Sequence, residues 1–530
     1  MRILYIVAVF VCGCMVVNGQ APEWEWAKSA GGDNNDISTC IGTDASGNVY
    51  VAGDFFTHSI TFGGVTLNSV GEENVFIVKY DAAGNVLWAK EGSGRSSRVY
   101  INGLSVNAQG DVSITGYFDG DILYIGNDTL SGTNNDNTMF VIRCDSIGNT
   151  IWKNTASGIE TNVSGIGISN DLKGNTYVTG TAFGLSFSFS DTVGLGIADV
   201  FLVKYDSIGN AVWAKNAGGN GLCTDAVGNI YALGEGVDFL AKYDSAGNMI
   251  WTQTLEAIAG SAFTDAYNNI YVTGTFGDTA TVGNDTLISV GSGNMLIVKY
   301  DPQGNILWAK SATGSGNDIG TGLSIDASGD IYVTGYYSSP TIAFGKDTLT
   351  NFSSNDSNSI FIVKYDSSGN IIWATSPKGY FSDANYLGRN NSGVANVSVD
   401  TKGDVYVAGQ FSSPTIIFGS DTLVNDTTNG TNDVYIAKFG TPTSTNVSNI
   451  NTAPTLMTVY PNPTSGNVHF SGVQTGYTLQ IYDVLGETIS SSTVDRDNYA
   501  VNLSGKAKGM YFYRVEEGGG VVGKGKVVVE

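Results

Sequence analysis

Positive charge is scarce in this chain: 26 Lys+Arg stand against 49 Asp+Glu among 530 residues, for a formal net charge of −23. Phosphate backbones and anionic lipid surfaces are held by clustered cations, so binding to nucleic acid or to an acidic membrane surface is disfavoured. Histidine is nearly missing, with only His58 and His469. No Ser/His/Asp order, H-E-x-x-H helix, Cys/His metal spacing or phosphate loop occurs, so the sequence supplies no catalytic, metal or cofactor motif. Cysteine is also sparse. Cys12 and Cys14 lie in the N-terminal apolar stretch, leaving Cys40, Cys144 and Cys223. An odd number at unrelated repeat positions argues for buried free thiols and against a disulfide framework. Long apolar runs are absent too: Ile3 to Val11 is far short of the roughly 20 residues that span a bilayer. Charged residues make up 14%, yet 42% hydrophobic and 11% aromatic residues are ample for a core, which excludes disorder as the cause.

What is present begins with export. Met1-Arg2, a short greasy run and small residues up to Gly19 form the pattern of a secretory signal peptide, with cleavage expected after Gly19. Cys12 stands where a lipoprotein cleavage box carries a small residue, which argues against lipid attachment at Cys14.

The mature sequence is a repeat. A strand such as FIVKY, a D-x-x-G-N turn and a strand reaching Trp recur at Tyr80/Trp88, Cys144/Trp152, Tyr205/Trp213, Tyr243/Trp251, Tyr300/Trp308 and Tyr365/Trp373. A second turn followed by a strand like IYVTG recurs at Asp44, Asn107, Asp171, Asp225, Asp265, Asp326 and Asp400. Six units of one kind and seven of the other imply a split hairpin. Its halves are EWEWAK, containing Trp26, and VYIAKF, ending at Phe439. Pairing them closes a ring of seven four-stranded sheets and removes free sheet ends. The expected fold is therefore all-β: a seven-bladed β-propeller over 23–440, a Thr/Asn/Ser/Pro-rich linker over 441–456, and a small C-terminal β-sandwich over 457–530. The periodic tryptophans read as packing between blades. The turn aspartates read as acceptors for turn N–H groups, because calcium loops need an alternating D-x-D-x-D set that is not there.

The units DASGNVYVAG (Asp44 to Gly53) and FIVKYDxxGNxxW resemble SBBP repeats, a seven-bladed propeller family akin to NHL propellers. That resemblance implies the fold and supplies no catalytic site. The C-terminal motifs YPNPTSG (Tyr460 to Gly466), IYDVLGE (Ile481 to Glu487), GMYFYRV and a closing KVVV resemble the type IX (Por) secretion sorting domain. The second resemblance implies passage through the outer membrane of a Gram-negative bacterium, by way of the type IX machinery, to the cell surface or medium.

Successive tryptophans are 62, 64, 61, 38, 57 and 65 residues apart, so the fourth blade is short. It lacks the arm (GNDTL, GKDTL, GSDTL) inserted in other blades, and a notch is expected beside Glu235. The longer connections share one face of the disc, where binding is expected. Candidate ligand residues there are Glu235, Tyr380, Phe381, Tyr386 and Arg389, with Arg95 and Arg98 on the first blade. Aromatic faces with a nearby cation suit sugar rings, although the same residues also read as loop anchors. The triplets D-S/T-small apolar, and D-T-T at Asp426, resemble the O-glycosylation motif of bacteria that use this export route. They place candidate sites at Thr129, Ser146, Thr192, Ser207, Ser245, Thr279, Thr286, Thr348, Thr422 and Thr427. The expected function is a non-catalytic binding or adhesion platform for an extracellular glycan or protein, the alternative being a polysaccharide-active hydrolase or lyase.

Overall fold

The structure, a computed structural model, describes residues 23–440 and 458–530 except 72, 95–97, 134–135, 159, 235–238, 256, 284, 354–356, 382–394, 426–429, 484–486, 497 and 518–519. The described chain divides into two units, one up to Pro442 and the other from Thr443.

In the first unit, every repeat folds as four antiparallel strands in chain order from inside to outside. The first sheet runs Asp36–Thr43, Val49–Phe55, Asn74–Tyr80 and Val86–Gly94. Six further sheets repeat this order among the described residues, and each inner strand touches the inner strands on either side, the last meeting the first. The seventh sheet takes its outer strand from the start of the chain: Trp24–Ala30 pairs antiparallel with Asp433–Phe439 from Trp24 opposite Phe439 to Ala30 opposite Val434. Second and third strands are buried along their whole length in blades one, five and seven and nearly so in the rest, because neighbouring blades cover both faces.

The D-x-x-G-N turns work as local hydrogen-bond cages. Asp44 Oδ1 accepts the N–H groups of Ser46 and Asn48 at 2.9 and 3.0 Å, while its Oδ2 accepts Asn48 Nδ2 at 2.8 Å. At the glycine position φ is positive throughout, from +62° at Asn268 to +92° at Gly209. Glycine in the outer turns meets a second demand. A Cβ built on Gly209 would lie 2.8 Å from the Trp152 ring, and one on Gly84 would lie 3.0 Å from Trp26, so each turn lies against the tryptophan of the preceding blade.

This contact is one part of a repeated latch. Trp88 Nε1 and Lys79 Nζ both donate to the carbonyl oxygen of Ser146, in the next blade's outer turn, at 3.2 and 2.9 Å. Trp213 with Lys204, Trp251 with Lys242, and Trp308 with Lys299 do the same to Ser245, Pro302 and Ser367. Each of those lysines also lies over a buried tyrosine ring, 4.7 Å away for Lys79 and Tyr50, and the tyrosine hydroxyl donates to the turn aspartate. At the closing seam Trp26 Nε1 donates to Ala82 O at 3.2 Å, while Lys438 pairs with Glu25 and Asp404 at 2.8 and 2.9 Å, so the split blade keeps the tryptophan half of the latch. Blade two departs from the pattern. Arg143 replaces the lysine and donates to Gly174 O and Asp111 Oδ2, and Trp152 Nε1 is buried with no hydrogen-bond partner.

Six arms are present among the described residues. Two of them lack the GxDTL motif: Ser59–Phe62 with Val65–Asn68 on blade one, which carries GGVTL, and Phe187–Ser188 with Gly194–Leu195 on blade three. Between Ile230–Leu233 and Phe239–Tyr243 of blade four there is no arm among the described residues. The arms of blades two and three pair with the outer strand of the preceding blade, as Ile122–Ile125 does with Val86–Gly94, and that of blade six pairs with Thr313–Gly314, just past blade five's outer strand. Among the described residues blade three's outer strand has no such neighbour, and it stops at Lys215 after five residues.

The second unit is a β-sandwich. A three-stranded sheet (Thr458–Tyr460, Asn467–Ser471, Tyr499–Asn502) and a four-stranded sheet (Thr488–Thr493, Thr478–Tyr482, Gly509–Glu517, Gly520–Val529) share a core that includes Phe470, Leu479, Ile481, Tyr513 and Val527. Two of its sequence motifs meet in space. Thr464 N–H donates to Val528 O at 2.8 Å, and Asn462 Nδ2 donates to Lys526 O at 2.8 Å, tying YPNPTSG to the final strand.

Candidate functional site

The long-connection face does not assemble the expected aromatic and cationic cluster among the described residues. Glu235, Tyr386, Arg389, Arg95 and Thr427 lie outside them. Phe381 requires a correction: it is 0% exposed, packs edge-on to Tyr336 at 5.5 Å, and exchanges two 3.0 Å backbone hydrogen bonds with Asn358. A ring with no open face cannot stack on a sugar, so Phe381 is an anchor that fixes its loop on blade six. Tyr380 is half-buried, and its carbonyl accepts the N–H groups of Ser412 and Ser413. Arg98 is exposed at the start of blade two, with Nε 3.9 Å from Glu73 Oε1.

The candidate glycosylation residues are better placed. Thr129, Thr192, Ser207, Thr279, Thr286, Thr348 and Thr422 are exposed, on arms and turns. Ser146 and Ser245 are half-buried, and their carbonyls are latch acceptors. The described cysteines are free: Cys144 and Cys223 are buried, whereas Cys40 is partly exposed. Burial pushes the Cys40 thiol up to about 12 and raises Cys144 and Cys223 as well, so all three are protonated thiols at neutral pH.

The cavities lie on the axis. Seven inner strands enclose a channel of about 410 Å³, lined by uncharged residues from every blade, among them Asn102, Ser169, Thr321 and Ser398. Much of this polar lining stitches blade to blade. Asn102 Nδ2 donates to Gly165 O at 2.8 Å, Asn396 Nδ2 to Thr39 O at 2.9 Å, and Thr321 Oγ1 to Ala395 O at 2.6 Å. On the face that carries the tight turns, the channel adjoins a second depression of about 570 Å³ between the turns of blades five, six and seven. Phe263 lines both cavities, and Tyr267 lines the second. Neither residue stood out in the sequence. The signal is nevertheless there: the residue two before the inner-turn Asp or Asn is Gly42, Ser105, Ser169, Cys223, Phe263, Ser324 and Ser398 in turn, aromatic in one blade only.

A buried carboxyl marks the closing seam. Asp36, 0% exposed on the inner strand of blade one, is pushed up to about 8, chiefly by burial and further by Asp433, against hydrogen bonds from Thr57 Oγ1 and the Phe56 N–H.

Among curated proteins, an uncharacterized WD repeat-containing protein of Acanthamoeba polyphaga mimivirus is 27% identical over 465 residues, covering 76% of this chain. The chain spans 32% of that relative's length. Among solved structures, a streptogramin B lyase aligns over 78% of this chain and 98% of its own at 9% identity and a TM-score of 0.41. A virginiamycin B lyase from Staphylococcus aureus aligns over 78% and 99% at 8% identity and a TM-score of 0.39. PorZ of Porphyromonas gingivalis aligns over 95% and 100% at 12% identity and a TM-score of 0.14. The propeller assignment accordingly rests on the strand order and inner ring described above. Residues 458–530 match the family described as the secretion system C-terminal sorting domain. With its two signature motifs joined along the last strand, the second unit is such a sorting domain, and the chain is exported by type IX secretion to the cell surface or the extracellular space.

Proposed function

We propose that the exported propeller is a non-catalytic binding or adhesion platform for an extracellular glycan or protein. The observation that carries this reading is the chemistry of its two axial cavities. The channel is lined by uncharged side chains, and the carboxylates around the adjoining depression are spent on holding turns: Asp265 accepts from Tyr267, Asn269 and Tyr271, and Asp400 from Lys402, Asp404 and Tyr406. General acid–base chemistry needs a carboxyl free to exchange a proton with substrate. A rigid ring presenting polar and aromatic groups suits recognition instead.

A second reading, a polysaccharide-active hydrolase or lyase at blade four, draws on one observation. Among the described residues blade four has no arm to pair with the preceding outer strand, Ala211–Lys215, so that edge of the rim is uncovered. Incubating the exported chain with arrays of polysaccharides and extracellular proteins separates the readings. Retention without new reducing ends or unsaturated products is expected, and turnover of any polysaccharide overturns the platform.

A further inference from the structure

We infer that the mouth of the axial channel on the tight-turn face is a binding site for a neutral glycan, with the rings of Phe263 and Tyr267 as its stacking platforms. This inference rests on the platform reading above and adds to it a place and a ligand class.

Register singles out Phe263. It stands opposite Tyr271, and the residues opposite the corresponding positions of the other blades are Gly42, Ser105, Ser169, Cys223, Ser324 and Ser398. Six small side chains meet the needs of the inner ring, so the fold asks for no phenyl group there. Phe263 is 39% exposed, so a sizeable part of the benefit of burying it is forgone. Tyr267 repeats the anomaly four residues later. It is 82% exposed at the tip of its turn, where the other inner turns carry Ser46, Gln109, Lys173, Val227, Ser328 and Lys402. Two exposed aromatic rings from one blade therefore open on one depression of about 570 Å³.

The surroundings select the ligand. Lys299 is held by its donation to Ser367 O at 3.0 Å and by the Tyr271 ring face, and its one positive charge is outnumbered by the carboxylates around it. The three carboxylates at the rim, Asp265, Asp326 and Asp400, and the net charge of −23 repel acidic ligands. What remains are aromatic faces with Asn269, Ser328 and Thr401 close by. An apolar face bordered by hydroxyl and amide groups matches a pyranose, which has a C–H face and a rim of hydroxyls.

The test is calorimetric titration of the full exported chain with neutral gluco-, xylo-, manno- and N-acetylglucosamine oligosaccharides, using oligogalacturonate as the acidic comparison. Saturable binding of at least one neutral series is expected. Phe263→Ser should weaken it about tenfold or more, and Tyr267→Ser likewise. Serine is the residue four other blades carry at the position of Phe263, so this variant keeps the fold, which its unfolding transition verifies; Phe263→Trp should retain binding. Unchanged affinity in the Phe263→Ser/Tyr267→Ser double variant, stronger binding of oligogalacturonate, or no neutral binding at all overturns the site. If the double variant still binds a protein or glycan on the arrays, the platform stands and this site fails; if the unaltered chain is retained by nothing, both fail.

Discussion

Trp88 and Trp152 occupy the same place in consecutive blades, and their indole nitrogens have different fates. Trp88 Nε1 donates to Ser146 O, whereas Trp152 Nε1 is buried with no partner. Replacement by phenylalanine removes the same ring area at both sites, but a hydrogen bond at only one. Trp88→Phe should therefore cost about 1 kcal/mol more than Trp152→Phe, which relieves a stranded donor. Chemical denaturation of the two variants measures the difference, and an equal or larger cost at Trp152 contradicts the latch. Asp36 gives a pH-dependent counterpart. Its folded-state pKa is raised to about 8, so the native state holds this proton more tightly than the unfolded chain, whose carboxyl titrates near 4. The stabilising contribution is complete below about pH 4 and is lost as pH rises toward 8. Asp36→Asn should raise stability at pH 8 by several kcal/mol and change it little at pH 4, as followed by thermal unfolding across that range. A variant that loses stability at pH 8 contradicts the assignment.

Among the elements, the first strand has the most at stake. Trp24–Ala30 is the outer strand of the last sheet, and Trp24 packs edge-on to Phe418 and Phe439 at 4.8 Å. Deleting residues 23–30 exposes the edge of Asp433–Phe439 and removes the latch to Ala82. The shortened chain should unfold at lower denaturant and self-associate, and a peptide of residues 23–31 should restore monomers; sedimentation follows both. Monomeric behaviour without the peptide would mean that the ring does not depend on this seam. Elements of this kind were legible because their signals are local. D-x-x-G-N names its own turn, and counting six hairpins against seven inner turns located the split blade. The partners of the lysines and tryptophans were not legible, since Trp88 and its acceptor Ser146 are 58 residues apart and meet only once blades stack. Phe381 could be read as ligand contact or as anchor for the same reason: whether a loop aromatic points outward or anchors the loop depends on what its neighbours bury.

In the molecule as a whole, the repeat and the sorting domain speak different languages. Ring architecture could be counted from periodicity, and the sorting domain read from its motifs. The place of the axial site could not be read this way, because periodicity draws attention to what recurs and Phe263 matters as the one blade that differs. The cavities also open where the tight turns are, away from the variable connections favoured by sequence length alone. One consequence of the split blade concerns time. The strand made first finds its partner near Phe439, at the opposite end of the propeller, so the circle is the last thing the chain completes. During synthesis or threading across a membrane, every intermediate is an open arc with a waiting end, and a nascent product interrupted before residue 433 can never shut.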